Sequence, residues 1–269
     1  MNYLIRPLDT GMVTSDPKTY TYHHTVHRFY KDKLNEITEN PCFCFLVYGG
    51  DKKILIDTGM ADTERANKYH HPGSIQGEGQ AVYEQLAALG IDCSEITHVI
   101  FTHLHWDHVY YCKRFVNAKF YVQRTEFEYA QHPIPVYHKS YEDKAIGIQE
   151  KQFDGLDFTL IDDEMEVLPG IRTYLTPGHS VGHQCVEVDT EDGTYTIVGD
   201  AVFSLDNLKP VPELHYSVTP VARCVDINDW WYSAERIVSR MGDLDHVLAT
   251  HDAGLKERVK NQPVIGDKK

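Results

Sequence analysis

The sequence predicts an α/β fold in which two packed β-sheets are flanked by helices. Three observations point there. Short apolar, β-branched runs closed by Gly, Asp or His recur along the whole chain, as strands bounded by turns do. Amphipathic helical stripes are interleaved with them in both halves, the pattern of a layered α/β protein. Apolar residues make up 42% of the 269 and charged residues 25%, a balance that supports a packed core and argues against disorder.

In chain order, residues 43–48, the Gly49-Gly50-Asp51 turn and residues 53–57 read as a hairpin. Single strands are expected at 96–101, 119–122, 171–175 and 246–249, and a second hairpin pairs 184–188 with 195–198 around Asp192-Gly193. Helical periodicity is clearest over 79–89 and over 227–241, where Trp230, Ala234, Ile237 and Met241 share one stripe. Residues 13–40, rich in Tyr and His, and 131–153, with few periodic apolar positions, read as long loops of the kind that act as lids or lack order. No Pro-, Gly- or Ser-rich linker and no repeat period divides the chain, so residues 1–269 are expected to form a single domain.

Acidic side chains number 40 against 26 basic ones, a formal net charge of -14 with no basic run. That balance repels polyanions, so neither nucleic acid nor an anionic membrane is expected as a partner. No apolar stretch reaches the roughly 18 residues of a membrane helix, and the first residues lack an export pattern, so a cytoplasmic location is expected. Six cysteines without CxxC spacing read as free thiols, with Cys42 and Cys44 on one side of a buried strand.

The chemistry concentrates in Phe101-Thr102-His103-Leu104-His105-Trp106-Asp107-His108. His103 and His105 are two apart, so on an extended segment both imidazoles point the same way. Asp107 and His108 follow where the chain turns and can aim at a second point nearby. Imidazole nitrogens with carboxylates are the ligand types that zinc or a similar divalent ion takes. Three more candidate ligands close apolar runs: His179 after 171–175, Asp200 after 195–198, and His251 after 246–249. A sheet edge could gather all seven, because strand ends are where a rigid scaffold presents site residues.

An HxHxDH segment followed by a His, an Asp and a last His resembles the signature of the metallo-β-lactamase superfamily. Within it the chain is most similar to the N-acyl-homoserine lactonase group. The resemblance is carried by Ile54-Leu55-Ile56-Asp57-Thr58-Gly59-Met60, Thr102–His108, Thr176-Pro177-Gly178-His179-Ser180-Val181-Gly182-His183 and Gly199-Asp200-Ala201. It spans nearly the whole chain, from about Leu8 to about Asp252. It implies an αβ/βα sandwich of two mixed β-sheets flanked by helices, with the metals at one sheet edge. It assigns His103, His105 and His179 to one ion, Asp107, His108 and His251 to the other, and Asp200 to both. Two divalent ions per chain are thus implied, zinc first, with iron, manganese and cobalt as alternatives. The chain departs from the group at one point: Phe203 stands where the lactonases carry a Tyr that touches the substrate carbonyl. Phe cannot donate a hydrogen bond, so Tyr22, Tyr110, Tyr111 and Tyr216 become candidates to replace it.

The function expected is opening of a lactone ring, an N-acyl-homoserine lactone above others, by a hydroxide held between the ions. Asp107 would carry a proton to the leaving oxygen, and Phe203, Tyr22 and Tyr110 are the substrate-contact candidates. Asp57 either orients a ligand histidine or simply shapes a turn. The loop aromatics Tyr20, Tyr22, Phe29 and Tyr30 read more readily as loop packing than as an acyl cleft. His23, His24, His27, His70 and His71 read as solvated. The alternatives are a hydrolase of another ester or thioester of the glyoxalase II type, for which Arg223 and Lys209 could clamp a carboxylate, and a non-catalytic metal-binding protein of the same fold. The net charge disfavours a nuclease, and His105 stands where the flavodiiron branch has a Glu. The partner expected is a small lactone or ester, and a homodimer stays open.

Overall fold

The computed structural model describes residues 2–268. Two mixed sheets pack face to face. The first has the order β1 (Leu4–Ser15), β2 (Thr38–Gly49), β3 (Lys52–Ile56), β4 (His98–Ile100), β5 (Lys119–Gln123), β6 (Phe158–Ile161). Its β1–β2 and β2–β3 pairs are antiparallel and the rest parallel. The second sheet runs β11 (Val247–Ala249), β10 (Gly193–Gly199), β9 (Gln184–Thr190), β8 (Ile171–Leu175), β7 (Met165–Leu168), with only β10–β11 parallel.

Side-chain alternation explains the layering. On β2, Phe43, Phe45 and Val47 face the second sheet and join Ile171, Val186, Val188 and Ile197 in the central core. Cys44 and Leu46 point the other way, into the layer formed with helix α2 (Val82–Ala88). Beyond the second sheet, Trp230, Ala234 and Ile237 of helix α4 (Ile227–Arg240) pack on Tyr174, Cys185 and Val198. All six cysteines are free, and Cys42 and Cys44 are fully buried. Although both lie on one strand, Cys42 joins a small cluster with Met60 and Trp106 while Cys44 enters the helix-side layer.

Both expected helices form with ends trimmed by a few residues, and both expected hairpins form, with β2, β9 and β10 longer than expected and β3 shifted by one residue. Several elements were not expected: β1, β6, β7, helix α3 (Arg124–Gln131) and helix α5 (Ala253–Asn261); a short helix α1 (Thr63–Arg65) also precedes α2. Strand β1 carries Pro7 and Gly11, which mask its alternation. It tolerates both because it is an edge strand whose register shifts between Asp9 and Met12. Residues 13–40 are correspondingly less irregular than expected, since β1 runs to Ser15 and β2 starts at Thr38.

Candidate active site

Parallel neighbours β3 and β4 end side by side, and the loops that leave them meet. Asp57 follows β3 with a left-handed φ of 58°. Its carboxylate accepts the Thr102 backbone N–H at 2.7 Å, the Thr102 hydroxyl at 2.8 Å and His108 Nδ1–H at 2.8 Å. Asp57 is therefore more than a turn residue. It fixes the start of the 102–108 loop and fixes the His108 ring with Nε2 turned inward. His251, just past β11, is held in the same way, donating from Nδ1 to the Pro41 carbonyl at 2.7 Å.

From the second sheet, Asp200 follows β10 and His179 follows β8. The Asp200 N–H donates to His183 Nε2 at 3.2 Å, which places the His183 proton on Nδ1, 2.9 Å from Thr176 Oγ1. Gly199 makes this approach feasible: its φ is +50°, and an added Cβ would sit 2.7 Å from His183 Nε2.

All seven predicted ligands converge and are buried. His103 Nε2 lies 3.0 Å from His105 Nδ1, and His179 Nε2 lies 3.1 Å from the same atom. Asp200 faces both sides, with Oδ1 at 3.2 Å from His108 Nε2 and 3.4 Å from His251 Nε2, and Oδ2 at 3.5 Å from His179 Nε2. Asp107 Oδ2 is 3.5 Å from His251 Nε2. Three groups gather ligand atoms within 4.8 Å: His103, His105 and His179; His103, His108 and Asp200; and Asp107, His108 and His251.

The donor chemistry fits metal ions. Burial drives His103 and His105 well below the usual histidine range and His179 to about 4, so these rings are neutral with lone pairs to share. Three neutral imidazoles converging on one point are a donor set that a Lewis acid fits. On the other side burial opposes charge, yet Asp200 and Asp107 outweigh it and lift His251 to about 10. The carboxylates there hold positive charge firmly, whether as protons or as cations. His108 Nε2 and Asp200 Oδ1 have no hydrogen-bond partner although both are buried.

Five of these groups, His105, Asp107, His179, Asp200 and His251, line a cavity of about 260 Å³. Phe203 lies in its wall, with its ring centroid 5.6 Å from His179 and 6.0 Å from His251. Tyr110 does not line it; its hydroxyl points to Asp62 at 3.5 Å. Tyr22 instead donates to Asp206 at 2.9 Å, stacks on Tyr30 and faces a neighbouring cavity. Tyr111 donates to Gln76 and Tyr216 packs on Trp231, so none of the four candidate tyrosines reaches the central cavity. Tyr20 does, edge-on to Phe203 at 5.9 Å and with its oxygen 2.9 Å from His71 Nε2. His70 and His71, expected to be solvated, also line it. The first stacks on Trp106 at 4.5 Å and lies 3.1 Å from Glu142. Arg223 lines the cavity too, whereas Lys209 is occupied with Asp206.

One further residue had no sequence signal. Glu126 of α3 accepts from Leu104 N–H at 3.0 Å, Tyr141 O–H at 3.0 Å, Ser180 O–H at 2.7 Å and Gly182 N–H at 3.0 Å. Leu104 stands between His103 and His105, and Ser180 is next to His179, so a single carboxylate ties the two histidine loops together.

Residues 37–250 match the model of the metallo-beta-lactamase superfamily, and the chain belongs to that superfamily. Its relatives there include the N-acyl homoserine lactonase AiiA of Bacillus thuringiensis subsp. kurstaki, 30% identical over 63% of this chain and 67% of that one. Another is the N-acyl homoserine lactonase AttM of Rhizobium johnstonii, 29% identical over 84% and 87%. Among solved structures, a quorum-quenching N-acyl homoserine lactone lactonase superimposes with a TM-score of 0.75 over 96% of each chain at 22% identity, a likeness of fold.

Proposed function

We infer that this protein is a metal-dependent hydrolase that opens lactone rings, with N-acyl homoserine lactones as the leading substrate class. The observation that carries the reading is the convergence of seven buried ligand groups, some with unsatisfied nitrogens or oxygens, five of which line one cavity. The named lactonases among its relatives supply the substrate class. In this reading residues 1–269 are one hydrolase domain that acts in the cytoplasm. His103, His105 and His179 would hold one ion, Asp107, His108 and His251 the other, and Asp200 would serve both. Zinc suits the mixed nitrogen and oxygen set. Divalent ions held there would supply Lewis acidity, the kind that lowers the pKa of water from about 15.7 to near 7 and polarises a carbonyl.

The chain's own groups do the rest. Asp57 and the Pro41 carbonyl orient the His108 and His251 rings. Asp107, which lines the cavity, takes the nucleophile's proton and returns it to the leaving oxygen. Phe203 and Trp106 exclude water from the cavity wall. Tyr20 is the phenol that reaches this space. With a proton on His71 Nε2, the ring donates to the phenol oxygen and leaves the Tyr20 O–H free for the substrate carbonyl. Tyr20→Phe is accordingly expected to lower kcat by roughly 10²-fold with little change in KM. An unchanged kcat would remove Tyr20 from the mechanism.

The reading is tested by metal analysis alongside turnover. The purified protein is expected to hold two ions per chain, to hydrolyse N-hexanoyl-homoserine lactone, to lose that activity on chelation and to regain it with zinc. Faster turnover of a phosphodiester or a glutathione thioester than of any lactone would overturn it. So would full activity of the stripped protein.

A further inference from the structure

The cavity that the ligand cluster lines also carries two cationic side chains, Arg223 and Lys139. Arg223 is half-buried on the segment that precedes α4. That segment is stitched to residues 16–30: the N–H groups of Ala222 and Arg223 both donate to the Tyr20 carbonyl, at 2.9 and 3.1 Å, and His23 N–H donates to the Pro220 carbonyl at 2.9 Å. The guanidinium carbon sits 5.9 Å from the Tyr20 ring centroid and 5.7 Å from that of Tyr137, one aromatic from each long loop. Such flanking holds a guanidinium in place and leaves its N–H groups available. Among the described residues no carboxylate lies within ion-pair distance of Arg223, nor of Lys139, which is exposed at the same cavity. In a chain of net charge -14, two uncompensated cations facing one cavity are a departure from the surrounding field. The cavity lining as a whole is also mixed, with Ser15, Asn40 and Ser140 as well as Val13 and Val136, rather than an unbroken apolar channel.

We propose that Arg223, with Lys139 beside it, binds an anionic group of the carboxylate class on the substrate, at the end remote from the bond that is cleaved. This rests on the hydrolase reading above and narrows its substrate class to lactones or esters with an acidic side chain. A guanidinium pairs a carboxylate through two parallel N–H bonds, which gives orientation as well as affinity. The opened ring also yields a carboxylate, but that one forms at the ligand cluster whatever the acyl group carries, so the two sources can be separated.

The probes are N-hexanoyl-homoserine lactone and its adipoyl analogue, in which a carboxylate replaces the terminal methyl. The adipoyl compound is expected to have a kcat/KM about tenfold higher, expressed in KM and shrinking with added salt. Arg223→Gln should lower kcat/KM for the adipoyl compound about tenfold more than for the hexanoyl one, and Arg223→Lys should retain part of the difference. Equal use of the two lactones, a preference for the hexanoyl compound, or a proportional loss with both in Arg223→Gln would overturn the proposal. Calorimetric titration of the zinc-loaded protein with ring-opened adipoyl-homoserine and hexanoyl-homoserine gives a readout that needs no turnover. Tighter binding of the dicarboxylate by wild type but not by Arg223→Gln supports the proposal, and equal binding sinks it. Failure to hydrolyse either lactone, by contrast, counts against the hydrolase reading alone.

Discussion

Asp200→Asn is expected to abolish turnover, lowering kcat/KM by on the order of 10³-fold or more, and to leave fewer than two ions per chain. Asp200 is the one side chain whose two oxygens face opposite halves of the ligand cluster. Asn would keep the shape but turn one oxygen into an N–H₂ that points at imidazole nitrogens, and it would remove the charge that helps hold two cations. The backbone should not move, because the bond from the Asp200 N–H to His183 Nε2 does not involve the side chain. Elemental analysis, steady-state rates and a thermal melt together check this. Retention of two ions with rates near wild type would show that Asp200 is not shared between them.

Glu126→Gln should be the most destabilising single change near the site. Four donors converge on that carboxylate, and two of them, Leu104 N–H and Gly182 N–H, are backbone groups that cannot reverse their role. Burial pushes the Glu126 pKa up, while the four hydrogen bonds oppose that shift. An amide can accept at one oxygen only, so one of those N–H groups would face an N–H₂ in a space with no room to turn away. An added Cβ at Gly182 would already lie 2.2 Å from Glu126 N, which measures how tightly the loop sits on α3. A cost of about 3 kcal/mol follows from stranding buried donors, with Tm falling by roughly 6–12 °C. Because the same carboxylate ties down the loops of His103, His105 and His179, affinity for the ion they hold should fall about 10- to 100-fold. Calorimetric melting and a metal titration would decide it, and unchanged values in both would reduce Glu126 to a spectator.

How much of this could be read from the sequence depended on distance along the chain. His103, His105, Asp107 and His108 announce themselves because a contiguous segment carries the spacing. His179, Asp200 and His251 were legible because each ends an apolar run that is a strand in the structure. Strand β1 was not, since Pro7 and Gly11 break the period-2 pattern that an interior strand would need. Tyr20 and His71 lie 51 residues apart in segments without periodicity, so nothing local marks them as a pair. His70 seemed solvated among polar neighbours, but Trp106 and Glu142, distant in sequence, bury it. Glu126 is a single acid on an unforeseen helix, and its role exists only through partners up to 56 residues away.

The ligand side chains stand at strand ends, whereas Val136, Lys139 and Arg223 come from segments outside the two sheets. Reaction and recognition are therefore carried by separable parts of the chain. Mutation can redraw the rim while the scaffold keeps the cation grip intact, so a lineage built on this plan can change what it consumes without relearning how to cleave it.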